Sequence, residues 1–391
     1  MDSFTFYVLL LVAIMVGWAM GRFGPVSRPK KVLKAENIFE DYFAGLNYLL
    51  NDEPDEAIDI FIKALEINSD TIESHLALGA LLRRRGKVDK AIKVHQALLT
   101  RPSLEREFSD SVSLQLAQDY IALGLLDRAE RLLNEILSEG SNAKWEALQY
   151  LITIYQTEKE WSKAVECSMV LLEHPNYKKD PQRRVCAAHY CCELAEQYLE
   201  SEQESKARSE IKRAFTFERK HIRALLLLAE IEQRQGNYKA AIKELLRVRT
   251  IEPGFITQLL QPLARCYKNL DLEDEFEKLL REVAVEHSSA VPYLAELIKA
   301  RSGSAAAIRF LSEHLVQYPS MEGLVELLGL QMHNVEADVA ASLESLLALI
   351  NEQVKQSFDY RCDYCGFEAR SLFWFCPSCK KWEKIRFIRD K

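Results

Sequence analysis

The 391-residue chain is 48% hydrophobic and 28% charged, a balance that builds folded domains, allows two or three of them, and excludes general disorder or collagen-like structure. Its net charge of −7 is segregated. Arg22, Arg28, Lys30, Lys31 and Lys34 against Asp2 make the first 34 residues basic, residues 361–391 set eight bases against four acids, and the acidic stretch between lacks the Lys and Arg excess that nucleic-acid phosphates require.

Residues 4–20 read FTFYVLLLVAIMVGWAM without a charge, Gly21 extends the run and Arg22 ends it. A helix of this length nearly spans a hydrocarbon core of about 30 Å, with Trp18 and Arg22 suited to the interface. A cleaved signal peptide needs a basic leader and a shorter apolar core, whereas Met1-Asp2-Ser3 leads here and the bases follow. Residues 1–21 are therefore expected to form a single uncleaved transmembrane anchor, ahead of a buried core helix, with everything after Arg22 on the cytoplasmic side. Gly24, Pro25, Ser27 and Pro29 make 22–37 a stiff basic linker.

From residue 38 a turn residue recurs five positions before an alanine: Asp52 to Ala57, Gly86 to Ala91, Gly124 to Ala129, Lys159 to Ala164, Glu202 to Ala207 and Gly236 to Ala241, with Phe276 in the same slot once more. A period near 34 residues with two amphipathic helices per unit is the tetratricopeptide signature. With the alanine as position 20, position 8 holds Gly45, Gly79, Ala117, Ala195, Ala229 and Ala264, and position 11 holds Tyr48, Tyr120, Tyr155, Tyr198 and Tyr267. Small residues at 8 and 20 let paired helices approach, and the aromatic fills the gap to the next unit. About seven hairpins are expected over 38–285 and degenerate hairpins closing the solenoid over 286–355, with Pro253, Gly303 and Pro319 as stops. The long spacing between Ala164 and Ala207 contains HPNYKKDP, a polar insertion with the character of a hinge.

No enzyme motif survives. Gly79 to Gly86-Lys87 has the wrong glycine spacing for a phosphate loop and Val88 where Mg²⁺ needs Ser or Thr. His189-Tyr190-Cys191-Cys192 lies on a predicted first helix, where packing outweighs metal or nucleophile chemistry, and His75 and His95 occupy core slots. A solenoid offers surface instead. The groove positions of the first helices hold Arg83, Gln118, Gln149, Gln156, His189, Glu196, Arg223, Glu230, Gln233, Gln258 and Arg265, a set able to hydrogen-bond a protein segment and equally able to be a solvated face.

The tail, 356–391, carries Cys362-Asp-Tyr-Cys365-Gly366-Phe367 and Cys376-Pro377-Ser378-Cys379. Two C-x-x-C turns offer four thiolates to one tetrahedral ion, zinc or iron, with backbone N–H groups turned to the sulfurs and Gly366 easing the first turn. Nine cysteines, four of them here, fit a metal site in a reducing compartment better than a disulfide framework. Phe373, Trp374, Phe375 and Trp382 are expected to cover the site or dock the module on the last helices, its basic residues meeting the acidic solenoid. With metal bound the module keeps about +2, weak for phosphate-driven affinity, and nucleic acid is not expected as a partner.

The apolar span followed by GRF, the DYFAGLNYLLNDEPDEAIDIFIKAL and HLALGALLRRRGKVDKAIKVHQ repeats and the YRCDYCGF…LFWFCPSCKKW tail resemble, over the whole chain, the lipopolysaccharide assembly protein B family of Gram-negative bacteria. The resemblance implies an all-α tetratricopeptide solenoid with one N-terminal transmembrane helix and a small C-terminal rubredoxin-like metal knuckle module in which four cysteines, Cys362, Cys365, Cys376 and Cys379, are the metal ligands. It implies a non-enzymatic inner-membrane adaptor, N-terminus periplasmic, that restrains lipopolysaccharide synthesis by promoting proteolysis of the lipid A-committing deacetylase through the membrane AAA+ protease FtsH, and that scaffolds lipopolysaccharide assembly proteins. A periplasm-facing membrane regulator would act on it in and near the membrane, and Gly17, Trp18 and Gly21 are the candidates for that helix contact, since small residues permit close approach in lipid. The competing class is a cytoplasmic-face iron or redox sensor coupled to the repeats. Homo-oligomerisation stays open.

Overall fold

The computed structural model describes residues 3–23, 72–101, 104, 106–140, 142–332, 343–350 and 358–388, with isolated positions 45, 48, 60 and 340. Most of the basic linker and of the first repeat, including Asp52 and Ala57, lies outside the described residues.

The first element, α1 (Ser3–Phe23), contains Gly17, Trp18 and Gly21, and its side chains are described from Tyr7 to Ala19. Leu9, Leu11, Ile14, Met15 and Trp18 on it are all exposed, and no side-chain atom lies within 4 Å of a Cβ built on Gly17. Thirteen described side chains at about 1.5 Å rise cover about 20 Å, and no helix among the described residues is long and apolar enough to cross a membrane.

The chain divides into two compact units, 1–147 and 148–391. In the first, α2 (Ile72–Arg84) and α3 (Val88–Leu99) form one hairpin and α4 (Arg106–Leu123) and α5 (Leu126–Ser138) the next, before α6 (Lys144–Glu158) begins. Its core is Leu78, Leu82, Ala91, Val94, Leu98 and Val112. The second continues with α7 (Trp161–Glu173), short α8 (Pro175–Lys178), α9 (Pro181–Glu200), α10 (Glu204–Phe217), α11 (Ile222–Arg234), α12 (Tyr238–Ile251), α13 (Ile256–Asn269), α14 (Glu273–Val283), α15 (Val291–Ser302), α16 (Ser304–Gln317) and α17 (Met321–Met332). Each unit is mostly helical and built of antiparallel helix hairpins, and the second also carries a small C-terminal ribbon.

The repeat register holds. Ala91, Ala129, Ala164, Ala207 and Ala241 are fully buried and Phe276 nearly so. The turn residues Gly86, Gly124, Lys159, Glu202 and Gly236 all adopt positive φ, joined by Asp271 in the degenerate repeat. Two of the five described slots thus place a Cβ in the left-handed region, where only glycine sits without cost. Lys159→Gly and Glu202→Gly are each expected to raise stability by about 0.5–1 kcal/mol in chemical denaturation, whereas Gly86→Ala lowers it by about 1; a fall in stability for both glycine variants would contradict this.

Gly79 is small for a different reason. A Cβ there would overlap Nε2 of His95, whose buried imidazole holds the fully buried Asp119 at 2.5 Å through Nδ1. Asp119 also accepts from Arg83 at 2.7 Å. Arg83 thus neutralises the buried carboxylate and His95 helps to satisfy it, and His75 and His95 are core residues as read from the sequence. Gly79→Ala is expected to cost about 1–3 kcal/mol by overpacking.

The HPNYKKDP insertion is built from two helix starts rather than an irregular loop. His174 caps α8 ahead of Pro175, and Asp180 caps α9 ahead of Pro181 by accepting from the Gln182 and Arg183 amides. Arg183 donates to Gln149 at 2.6 Å and lies over the Tyr177 ring, while Gln149 donates to the Tyr177 hydroxyl at 3.0 Å. Two capped helix starts and this chain of contacts hold the segment in place.

Among the described residues of 286–355, α15 stops at Gly303, α16 ends just before Pro319, and 343–350 are helical. The all-α expectation needs one correction. The tail forms a three-stranded antiparallel sheet, order β2-β1-β3, from β1 (Tyr360–Cys362), β2 (Glu368–Ala369) and β3 (Ile385–Phe387). Strands of two or three residues carry too little periodicity to be read from sequence.

Candidate metal centre

Each C-x-x-C folds as the same turn. Gly366 N–H donates to the Cys362 carbonyl and Lys380 N–H to the Cys376 carbonyl, both at 2.9 Å, and both donors sit at positive φ directly after the second cysteine of their pair. The first knuckle meets this demand with glycine as its sequence announced; the second meets it with Lys380, which gave no such signal. Cys362 N–H closes the first knuckle on the Phe367 carbonyl at 2.8 Å, and Cys376 N–H the second on the Lys381 carbonyl at 2.9 Å.

The turns bring all four sulfurs within 4.8 Å of one another. Cys362 and Cys379 stand 3.7 Å apart, as do Cys365 and Cys376. A tetrahedral ion with metal–sulfur bonds of about 2.3 Å requires sulfur separations of about 3.8 Å, so the donors already have the spacing of a closed S₄ site. The Phe367 backbone amide turned to Cys365 Sγ is the main influence pulling that thiol down, to about 6, which favours the thiolate a metal needs. Cys362 and Cys376 are buried with Ile385 in a small core that Tyr360, Phe367, Leu372 and Cys379 complete, and Cys365 is exposed. One metal ion fits these four residues, and the donor set suits zinc and iron alike.

The ribbon docks on the repeats, though not where expected. Trp382 donates from Nε1 to Gln156 Oε1 at 2.9 Å, stacks on His189 with centroids 4.5 Å apart, and meets Trp161 and Tyr190 edge-on. Tyr190 donates to the same Gln156 oxygen at 2.8 Å. Trp374 stacks on Phe255, and Gln258 donates to the Tyr360 hydroxyl at 3.1 Å. These partners lie on α6, α7 and α9 and around α13, not on the last helices. Ion pairing contributes little among the described residues: Arg361 and Arg386 pair with Glu368 and Asp363 within the ribbon, while Glu383 lies beside His189 and both Glu383 and Lys384 bear on Cys186.

Several residues read as a partner groove therefore face the chain itself. Gln156, His189 and Gln258 hold the ribbon, and Gln149 is bound to Arg183 and Tyr177. Arg223, buried, is clamped by Glu193 at 2.8 Å and Glu196 at 2.7 Å. Arg83 binds Gln118 at 2.7 Å in the first unit. Glu230 pairs with Arg234 along one helix face, Gln233 donates to the Pro262 carbonyl at 3.4 Å, and Arg265 stands exposed. The signal that the ribbon returns to the middle repeats was absent from a sequence in which Gln156 and Trp382 are 226 positions apart. Cys191 and Cys192 are fully buried, and burial pushes both thiols up, Cys191 to about 12, so they pack rather than react.

Residues 360–386 match a family model described as a rubredoxin metal binding domain, and residues 74–107 one described as a tetratricopeptide repeat. The chain is 36% identical over 388 residues to lipopolysaccharide assembly protein B of Escherichia coli strain K12, covering 98% of this chain and 97% of that protein. It belongs to the lipopolysaccharide assembly protein B family. A second family member, from Haemophilus influenzae, is 35% identical over 98% of both chains. In this lipopolysaccharide assembly protein B family chain the metal centre and the described repeats thus lie within a likeness that runs nearly end to end.

Proposed function

We propose that the chain is a non-enzymatic adaptor of lipopolysaccharide synthesis, held at the inner membrane by residues 1–21 with its N-terminus periplasmic and its repeats in the cytoplasm. It presents the lipid A-committing deacetylase to an FtsH-type membrane protease, answers to a periplasm-facing membrane regulator, and scaffolds lipopolysaccharide assembly proteins. The observation that carries the reading is likeness over 98% of the chain to proteins named for lipopolysaccharide assembly. Helical repeats supply interaction surface rather than a reaction centre, which supports an adaptor. Client contacts fall to groove residues beyond the ribbon, Arg265 and Glu230 among them. The competing sensor reading draws on the exposed Cys365 side of the metal centre, open to a redox partner. A zinc-filled centre, or an iron centre whose reduction leaves partner binding unchanged, removes it.

The apolar exposed face of α1 supports the anchor. Replacing residues 1–21 with an unrelated span of the same orientation is expected to keep the protein in the membrane fraction but to abolish regulation of client turnover, because Gly17, Trp18 and Gly21 contact the regulator. Normal regulation through the foreign span contradicts that contact, and recovery of the native chain in the soluble fraction contradicts the anchor.

A further inference from the structure

Two buried histidines and a carboxylate converge where the ribbon lies on the repeats, and the four-cysteine centre uses none of them. His189, on α9, and His221, just before α11, have fully buried side chains, whereas Glu383 is one-third exposed. Glu383 Oε1 lies 3.1 Å from His189 Nε2 and 3.7 Å from His221 Nε2. The two rings stand 4.3 Å apart at 74°, and one ligand atom from each of the three residues lies within 4.8 Å of the others. A hydrogen bond accounts for the His189 contact. It leaves Nε2 of His221 buried without a partner, aimed at an oxygen beyond hydrogen-bond reach.

We propose that His189, His221 and Glu383 form a second divalent-cation site, distinct from the four cysteines, that fastens the ribbon to the repeats. Around a tetrahedral ion with bonds of about 2.0–2.2 Å, nitrogen and oxygen donors stand about 3.4 Å apart, and the two observed separations straddle that value. Two buried imidazoles and a carboxylate that is one-third exposed are a ligand set for a first-row divalent ion. Burial drives both imidazoles toward the neutral form that ligates, holding His221 at about 3 with help from neighbouring His189. The nearest like charge, Arg223, is already offset by Glu193 and Glu196. His221 Nδ1 has an acceptor waiting in Cys192 Sγ at 3.6 Å, the arrangement ligating histidines adopt through their second nitrogen. On loading, that bond replaces the 3.3 Å cap that Nδ1 gives the Ala224 amide.

The test is titration of the full chain in detergent, four-cysteine site already filled, with Zn²⁺ followed by calorimetry and metal analysis. One further equivalent is expected in the native protein. Glu383→Gln, which keeps an acceptor, and His221→Asn, which keeps a helix cap, should each weaken that equivalent at least tenfold while retaining the first metal and the helical circular dichroism. Uptake of no further equivalent by the native protein would leave a hydrogen-bonded latch and overturn the proposal. So would a second equivalent bound equally well by both variants, which would mark it as adventitious.

Discussion

Cys362→Ser with Cys365→Ser is expected to empty the metal centre and unfold the ribbon while the repeats stay folded. Two of four thiolates are lost, and a module whose buried core is two cysteines and Ile385 cannot hold its fold by apolar burial. Structural zinc sites of this size link about 10 kcal/mol or more of metal binding to folding. The repeats draw their stability from neighbour contacts, with α11 to α16 sharing one core, so helical content should fall little. Metal content, circular dichroism and Trp382 fluorescence on one preparation separate these effects. A variant that loses metal yet keeps Trp382 in its buried environment contradicts the link between metal and docking.

Trp382→Ala is expected to free the ribbon without emptying it. The indole is 7% exposed and gives its N–H to Gln156 while covering His189, so truncation should cost about 3 kcal/mol or more. Because the Trp382 ring also packs on Phe375 inside the ribbon, with centroids 4.8 Å apart, the partner variant Gln156→Ala is the cleaner probe. It removes the acceptor shared by Trp382 and Tyr190 and leaves a buried N–H unsatisfied, at about 1–3 kcal/mol. Both variants should retain one metal in the cysteine site, and hydrogen exchange in β1 and β3 should rise. Unchanged protection in both would mean that the ribbon is held by other contacts.

How much of this was legible in the sequence follows from the range of the interactions. The repeat register was readable because it is local: Ala91 and Ala129 are buried by helices a few turns away, and Gly86 and Gly124 are turns of four residues. The metal ligands were readable because each pair is fixed by its own turn, whose hydrogen bonds span four residues. The identity of the groove was not. Gln156, His189 and Gln258 were read as groove positions for a partner, yet what they meet is a tail joined to them by aromatic stacking and single hydrogen bonds across more than a hundred residues. Neither charge nor periodicity encodes such pairings, which is why basic residues and the last helices were the wrong guide. His189 was set aside as a metal ligand because packing was favoured on its predicted helix; its companions are His221 and Glu383, distant in sequence.

The central claim is that the docked, metal-filled ribbon on membrane-held repeats is what delivers the deacetylase for degradation. The most direct measurement is the half-life of that deacetylase after synthesis is stopped, in cells whose native copy is replaced by Gln156→Ala or by the Cys362→Ser, Cys365→Ser variant at equal membrane abundance. The half-life is expected to lengthen several-fold in the cysteine variant and to a smaller extent in Gln156→Ala, with lipopolysaccharide synthesis rising in the same order. A deacetylase that decays at the native rate beside the metal-free variant would contradict the account.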